Sequence, residues 1–195
     1  SEVDKIMITG VGSTFIGEEL YGIECQHVSE FQAVGIGGQY LSGLDKAIVV
    51  SMGTGTAIVL AERDKEPKYL GGTGVGGGTL LGLSKKMIGV DTIEHIEQMC
   101  EEGNLDNVDL RIKDISADNN FQINEDITTS NFGKLSDLAT PADIARGISN
   151  MVAETIAMMA VFTARGHGLN NVVLIGNLTN IKPVRDVFAD LDSFG

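Results

Sequence analysis

Short apolar runs bounded by glycine or polar residues divide much of the chain into predicted strands. β-Branched and aliphatic residues dominate these runs, which favours strands in a packed sheet. The predicted strands are residues 6–8, 23–28, 47–51, 57–60, 69–71 and 171–176. The runs 47–51 and 57–60 flank a glycine turn, so we predict that they form a hairpin with 69–71 as a third strand.

Apolar residues at helical spacing predict the remaining elements. Ser29-Glu30-Phe31-Gln32 has the form of a capping box, and glycines 35, 37 and 38 would let the following helix pack closely on a neighbour. Thr140-Pro141-Ala142-Asp143 predicts the start of a long helix that ends at Gly166 or Gly168. The other predicted helices are 13–20, 79–87, 92–101 and one from Pro183.

Strands and helices therefore follow one another in an order typical of an α/β layered fold. Residues 103–133 are polar and irregular, with one predicted short strand at 110–112. The length of 195 residues fits one medium domain, or one domain and part of another.

The charge pattern limits the classes of partner. The formal net charge is −13, and the sequence contains no basic stripe. Both observations argue against binding to nucleic acid or to an anionic membrane surface. Any phosphate site in so acidic a protein should depend on backbone N–H groups and helix N-termini. The 25 glycines, roughly twice the usual share of about 7%, fit that requirement.

Cysteine and histidine usage predicts neither a metal site nor a disulfide framework. Cys25 and Cys100 form no CxxC pair, and the three histidines lie far apart, so we expect no zinc site and two buried thiols in a reducing cytoplasm. The apolar run 155–164 is too short to span a bilayer and is interpreted as a buried helix segment.

Two glycine-rich loops are the main candidate chemistry. Gly53-Thr54-Gly55-Thr56 lies at a predicted hairpin tip, and residues 71–78 lead into a predicted helix. The second loop contains a G-x-G-x-x-G pattern, but the acidic residue that a dinucleotide fold needs is not placed at a strand end. No Gly-Lys-Ser/Thr follows, which excludes a Walker loop. Together, the two loops predict a grip on one polyphosphate from two sides.

Several motifs resemble those of type II pantothenate kinases, in order and at matching spacing along nearly the whole chain. They are Ile8-Thr9-Gly10, Ser29-Glu30-Phe31, Ser51 to Thr56, residues 71–83, Asp126 to Gly133 and Leu174 to Asn177. The resemblance implies an actin-like ATPase (ribonuclease H-like) fold, a mixed sheet flanked by helices. It also implies a catalytic subdomain remainder with an interdomain helix at 1–44 and a nucleotide-binding subdomain at 45–195.

The resemblance further implies transfer of the ATP γ-phosphate to pantothenate, the first step of coenzyme A synthesis, with Mg²⁺ as the accompanying ion. Glu30 matches the catalytic acid, while Ala57 and Tyr69 fall on the acceptor side. The residues that match the ATP-binding loops are Gly53, Thr54, Gly55, Thr56, Gly71, Gly72, Thr73, Gly74, Gly76, Gly77, Gly78, Gly176 and Asn177. A cytoplasmic homodimer is expected.

Three departures from the family pattern leave alternatives open. The 195 residues contain no Asp-x-Gly-x-Thr phosphate loop and no last glycine-rich segment, so we expect a portion of a longer kinase. Tyr69 stands where the family usually has an arginine, with Lys68 as a substitute charge, and Ala57 stands where it has a serine. A same-fold kinase for a sugar or other small alcohol, or a non-catalytic nucleotide-binding regulator, remain as alternatives.

Overall fold

The computed structural model describes residues 3–116 and 124–189. The strands are β1 (Ile6–Ile8), β2 (Glu19–Leu20), β3 (Ile23–His27), β4 (Lys46–Met52), β5 (Thr56–Glu62), β6 (Lys68–Thr73), β7 (Leu110–Arg111), β8 (Thr128–Ser130) and β9 (Val172–Ile175). The helices are α1 (Glu30–Ser42), α2 (Gly77–Ile88), α3 (Ile93–Glu102), α4 (Ile112–Ile115), α5 (Pro141–Gly166) and α6 (Lys182–Ala189).

The main sheet has four strands in the order β6-β5-β4-β9. The predicted hairpin is confirmed, because β4 and β5 pair antiparallel from Lys46 opposite Glu62 to Met52 opposite Thr56. Strand β6 continues the antiparallel part, whereas β9 lies parallel to β4. The sheet is therefore mixed, as predicted.

Helix α5 covers one face of this sheet and forms the centre of the core. Ile148 and Ile156 of α5 belong to the same core cluster as Val50, Met52 and Ile58 of the sheet. All five residues are fully or almost fully buried. Among the described residues, α5 is the one helix long and apolar enough to cross a membrane. Within its most apolar 18-residue segment, however, 56% is buried inside the protein. Its apolar stripe is thus used for core packing.

The opposite face of the sheet carries α1, and two glycines of α1 make close contact possible. A methyl group at Gly38 would stand 2.7 Å from Val49, and one at Gly35 would stand 2.4 Å from Pro67. The prediction that these glycines serve helix packing is confirmed, except that Gly37 has open space around it.

The prediction of a helix at 13–20 is wrong. A single-turn 3₁₀ helix occupies Val11–Phe15, and β2 pairs antiparallel with β3 through Leu20 opposite Ile23. The two residues between them, Tyr21 and Gly22, have φ values of 55° and 78°. Two successive positive φ angles form the tight hairpin turn that suits the strand twist, and this turn replaces the helix.

The predicted strand at 110–112 is confirmed for Leu110–Arg111 (β7), whereas Ile112 begins α4, and the partner strand β8 was not predicted. The buried carboxylate of Asp109 accepts hydrogen bonds from the Asn150 side chain (2.9 Å) and the Phe132 amide (2.8 Å). It thereby fixes the 126–133 motif on α5. Residues 117–123 of the predicted irregular region lie outside the described part of the chain.

The predicted start of the long helix is confirmed in detail. The Thr140 hydroxyl accepts from the Asp143 amide, and the Asp143 carboxylate accepts from the Thr140 amide at 2.9 Å. The same carboxylate accepts from the amide of Asn104 at 2.6 Å. Burial alone would raise the pKa of Asp143, but these donated hydrogen bonds favour the anion and leave the pKa below its ordinary value.

Candidate nucleotide and acceptor site

The first glycine loop and the turn after β9 meet at one edge of the main sheet. Strands β4 and β9 are parallel and end side by side, with Ser51 opposite Ile175. Gly176 follows with a φ of 99°, and a methyl group there would stand 2.3 Å from the carbonyl oxygen of Met52. Ligands of open α/β sheets bind outside the carboxyl ends of parallel strands, so this edge is the candidate site.

The second glycine loop is bonded directly to the first. The amides of Gly77 and Gly78 donate to the carbonyl oxygens of Gly53 (2.8 Å) and Thr54 (2.9 Å). The hydroxyl of Thr56 donates to the carbonyl oxygen of Val75 at 2.8 Å. The sequence motifs 53–56 and 71–78 are therefore one interlocked unit.

This interlock changes the predicted two-sided grip on phosphate. The two leading amides of α2 are already bonded, so the start of α2 supports the first loop instead of offering those two donors. Within residues 3–116 and 124–189, the amides of Thr54 and Gly55 donate no hydrogen bond, and the Thr54 side chain is exposed. The hairpin tip thus contributes two free amide donors to this edge.

One glycine of the second loop is fixed by contact with the first. A methyl group at Gly76 would stand 2.7 Å from the carbonyl oxygen of Thr54, which leaves no room for a side chain. At Gly74, two residues earlier, an added methyl group would meet no other atom within 4 Å. The hydroxyl of Thr79 accepts from the Gly76 amide and donates to the Gly74 carbonyl oxygen. Thr79 was missed by sequence reasoning, although a threonine three residues into a helix start is a recognisable cap signal.

The turn after β9 is also fixed by its own chain. Asn177–Asn180 forms a 3₁₀ turn. The amide (3.1 Å) and the hydroxyl (2.7 Å) of Thr179 both donate hydrogen bonds to the Gly176 carbonyl oxygen. Leu178 is buried in the core, whereas Asn177 is exposed beside the loop edge. Gly176 and Asn177 are thereby brought to the same edge as Gly53 to Thr56.

Glu30 lies on the other face of the main sheet from α5, as the first residue of α1, and its side chain is exposed. The predicted capping box is wrong as a bonding pattern, because Ser29 occupies the cap position without a side-chain capping bond. Gln32 instead donates to the carboxylate of Glu66 at 2.7 Å. Within the described residues, Glu30 makes no side-chain hydrogen bond or ion pair to the glycine loops, and its catalytic role stays a prediction.

The two predicted acceptor-side residues lie on the face of the sheet that carries α1. The ring of Tyr69 stacks on Phe31, with centroids 4.3 Å apart and planes inclined by 24°. Ala57 pairs with Gly72, and the Tyr69 hydroxyl lies next to Gly72. Phe31 was not predicted as a site residue, since a partly exposed aromatic after a glutamate has no distinguishing sequence signal.

Lys68 lies on the wrong face to replace the charge of an arginine at position 69. Lys68 pairs with Leu60, whereas Tyr69 pairs with Val59. Side chains alternate along a strand, so these two pairs face opposite sides of the sheet. Leu60 packs against the α5 core and Val59 contacts α1, which leaves Lys68 on the α5 side.

The described residues offer no ready-made metal cage. Within residues 3–116 and 124–189, no group of three or more His, Cys, Asp or Glu side chains could hold a metal ion. The groups beside the loop edge are hydroxyls, an amide side chain and backbone atoms. These fit a magnesium ion poorly as sole ligands, because Mg²⁺ is usually held by carboxylates and substrate phosphates together.

A cavity of about 510 Å³ lies apart from the predicted site residues. Its walls come from α3, α5, α6 and the segment around β8, and they include Arg111, Asn150 and Lys182. None of the residues that we predicted for catalysis or for ligand binding lines it. The candidate site is thus an open edge and face of the sheet, separate from this cavity.

Comparisons with known proteins support the kinase resemblance. A family model described as Fumble matches residues 44–186. A type II pantothenate kinase of Staphylococcus saprophyticus is 32% identical over 199 residues, which cover 97% of this chain and 74% of that protein. A type II pantothenate kinase of Staphylococcus haemolyticus is 31% identical over 197 residues, covering 96% of this chain and 73% of that protein.

Solved structures of the actin-like ATPase and sugar-kinase type share the fold. The activator of the 2-hydroxyisocaproyl-CoA dehydratase from Clostridium difficile, with bound ADPNP, has a TM-score of 0.61 at 17% identity, covering 97% of this chain and 65% of that one. Plasmodium falciparum glycerol kinase with ADP has a TM-score of 0.57 at 15% identity, covering 87% of this chain and 38% of that one. The predicted fold class is therefore confirmed.

Proposed function

This chain belongs to the Fumble family, and we propose that the protein is an ATP-dependent kinase that phosphorylates pantothenate in the first step of coenzyme A synthesis. The observation that carries the proposal is the meeting of Gly53–Thr56 and Gly176–Asn177 at the carboxyl ends of β4 and β9. The relatives named as type II pantothenate kinases supply the acceptor.

The nucleotide half of the proposal depends on backbone donors. The free amides of Thr54 and Gly55, with the Thr54 hydroxyl, bind phosphate oxygens of ATP at the hairpin tip. Phosphoryl transfer is accelerated mainly by positioning and by donors aimed at developing negative charge. Residues 71–78 hold that tip in place, and Gly176 and Asn177 lie on the nucleoside side.

The acceptor half assigns the proton to Glu30. The hydroxyl oxygen of the acceptor attacks the γ-phosphorus and forms a new P–O bond, while the bond to the β,γ-bridging oxygen breaks. ADP leaves with that electron pair, and the hydroxyl proton passes to the carboxylate of Glu30. A base in this role must come within hydrogen-bond reach of the alcohol.

Magnesium belongs to the proposal only as the counter-ion of ATP. Because the described residues form no carboxylate cage, ATP phosphates and water would supply most of its ligands, and the ion would neutralise phosphate charge. We assign it no separate step.

The direct test is ADP release from the intact protein encoded by the complete reading frame. Pantothenate should start ADP release, and mass spectrometry should find 4′-phosphopantothenate as the product. Absence of both in a folded protein that binds ATP would contradict the proposal.

A second acceptor class is favoured by Tyr69 and Ala57, which differ from the family pattern on the acceptor side. The same ADP assay with sugars, amino sugars and other small alcohols separates the two. Turnover with one of these and none with pantothenate would identify a same-fold kinase of another specificity.

A nucleotide-binding regulator is the other alternative, and ATP binding without turnover on any acceptor would favour it. A thermal shift would detect the binding, since a ligand at a hundredfold excess over Kd stabilises the folded protein by about 2.7 kcal/mol.

We include a cytoplasmic homodimer and the subdomain division at residues 44 and 45 in the proposal. Phe162 of α5 continues the apolar stripe and is 61% exposed, and a second copy of the chain on that face would cover it. Helix α1 packs on β4 and β5 and serves as the interdomain helix. Light scattering of the intact protein should give twice the monomer mass, and a monomer would contradict the dimer.

A further inference from the structure

An aromatic pair stands beside the proposed catalytic carboxylate. Phe31 directly follows Glu30 in the first turn of α1, and its ring stacks on that of Tyr69. The Tyr69 side of the pair is 48% exposed and the Phe31 side 37% exposed, so both rings keep surface available to a ligand. The pair therefore forms a partly exposed aromatic wall on the face of the sheet that carries α1.

A bulge directs Tyr69 to that position. The β5–β6 register shifts between Ile58 and Val59, so Leu70 is left without a partner between Tyr69 and Gly71. Bulges commonly redirect a side chain next to a functional site. Here Tyr69 keeps to the α1 face of the sheet, and its hydroxyl lies beside Gly72.

Small residues form the floor between this wall and the hairpin tip. Ser51 pairs with Ala57, and Ala57 pairs with Gly72, so the three lie in a row across β4, β5 and β6. Directly paired residues share a face, and this is the face of Val59 and Tyr69. The row connects the aromatic wall, whose Tyr69 hydroxyl lies beside Gly72, to the loop at Gly53 to Thr56.

Carboxylates flank the aromatic wall. Glu30 precedes Phe31 in α1, and Glu66 accepts a hydrogen bond from Gln32, which follows Phe31. Lys68 lies on the opposite face of β6. The nearby bases of the β5–β6 turn are ion-paired, Lys65 with Glu62 and Arg63 with Asp45 at the start of β4. In the described part of the chain, the wall thus presents rings and a hydroxyl where a carboxylate would need a cation.

We propose that the stacked Phe31–Tyr69 pair is the specificity-determining wall of the acceptor site, and that it binds the end of the acceptor remote from the reacting hydroxyl by ring contact and hydrogen bonding without reading a carboxylate. This inference rests on the proposed phosphoryl transfer with Glu30 as base. Pantothenate is accepted, but its carboxylate adds nothing to its binding. An uncharged alcohol of the same shape is an equally good substrate.

Pantothenate and panthenol test the inference, because both carry the same reacting alcohol and only pantothenate carries the carboxylate. In the intact wild-type protein, kcat/KM for the two should agree within about threefold. Tyr69→Arg should favour pantothenate by about tenfold or more, since a hydrogen bond to a charged group contributes that much or more. Tyr69→Phe keeps the stack and should leave the ratio near one, and KM for ATP should stay constant throughout.

Separate outcomes distinguish this inference from the proposed function. A wild-type preference for pantothenate of tenfold or more, or a ratio unchanged in a folded Tyr69→Arg protein, would overturn the inference while the kinase proposal stands. ADP release with neither alcohol would overturn both. If Tyr69→Arg fails to fold, the wild-type ratio and Phe31→Leu decide. Phe31→Leu should raise KM for both alcohols by the same factor, and an unchanged KM would contradict the wall.

Discussion

The regions on the two sides of Gly72 are held together by different chemical groups. On the proposed nucleotide side, main-chain amides and carbonyls hold the loops together, as in the bonds from Gly77 and Gly78 to Gly53 and Thr54. On the proposed acceptor side, side chains make the contacts, as in the Phe31–Tyr69 stack and the Gln32–Glu66 hydrogen bond. A site made of backbone depends on where glycine is allowed, whereas a site made of side chains depends on which residue is present.

This difference explains how one fold can keep its nucleotide and change its acceptor. Main-chain donors are the same for every residue, so the phosphate edge retains its chemistry as long as the close approaches survive. A single exchange on the acceptor side, such as tyrosine for arginine, changes charge, reach and donor geometry together. The following experiments test whether the two sides are as separable as this comparison implies.

The largest effect is expected on the acceptor side from Glu30→Gln in the intact protein. Removing a positioned base should lower kcat by about 10²- to 10⁴-fold, with KM for ATP unchanged. Glu66→Gln is the matched control, because this neighbouring carboxylate bonds only a side chain and should leave kcat within about threefold. Equal losses in both variants would mean that Glu30 acts through general charge and not as the base.

On the proposed nucleotide side, Gly76→Ala should lower stability and ATP binding, whereas Gly74→Ala should change neither appreciably. The added methyl at position 76 meets the Thr54 carbonyl oxygen, so we expect a loss of about 2–3 kcal/mol in stability and of measurable ATP binding. The methyl at position 74 meets open space and should change the free energy of unfolding by less than about 0.5 kcal/mol. Urea unfolding and ATP titration measure both, and a tolerant position 76 would contradict the interlock.

Two threonines of the hairpin loop should separate support from ligand binding. Thr56→Val removes the hydroxyl bonded to Val75 and should cost about 1–2 kcal/mol of stability. Thr54→Val removes an exposed hydroxyl proposed to bind phosphate, so it should weaken ATP binding with stability nearly unchanged. Calorimetric titration with ATP and thermal melting of each variant decide between the two roles, and a reversed pattern would exchange them.

The smallest effect concerns Asp143, which lies outside both sides and serves as a reference. Its pKa in the folded protein is below the ordinary 3.8, so its hydrogen bonds stabilise the fold above that pH. The stabilisation should be lost as pH falls below 3.8 through the folded-state pKa. Asp143→Asn should remove this part of the acid dependence of the urea midpoint, while ATP affinity at neutral pH stays the same. An unchanged acid dependence would contradict the assignment.

The same division between backbone and side chains decided what could be predicted from the sequence. The β4–β5 hairpin, the close contacts of Gly35 and Gly38 in α1 and the cap of α5 depend on local pattern, and these were predicted correctly. The helix predicted at 13–20 failed because a tyrosine accepts a positive φ angle at position 21, which few non-glycine residues do. The Phe31–Tyr69 contact joins residues distant in sequence, so the residues around Phe31 or around Tyr69 do not predict it.

The hydrogen bonds between the two glycine loops also have an evolutionary consequence. Because the amides of Gly77 and Gly78 meet the carbonyls of Gly53 and Thr54 in register, each loop sets the length of the other. A residue inserted into or deleted from either loop would shift every later donor past its acceptor. We therefore expect homologous chains to vary in length within residues 103–133 and to keep a constant spacing between these two loops.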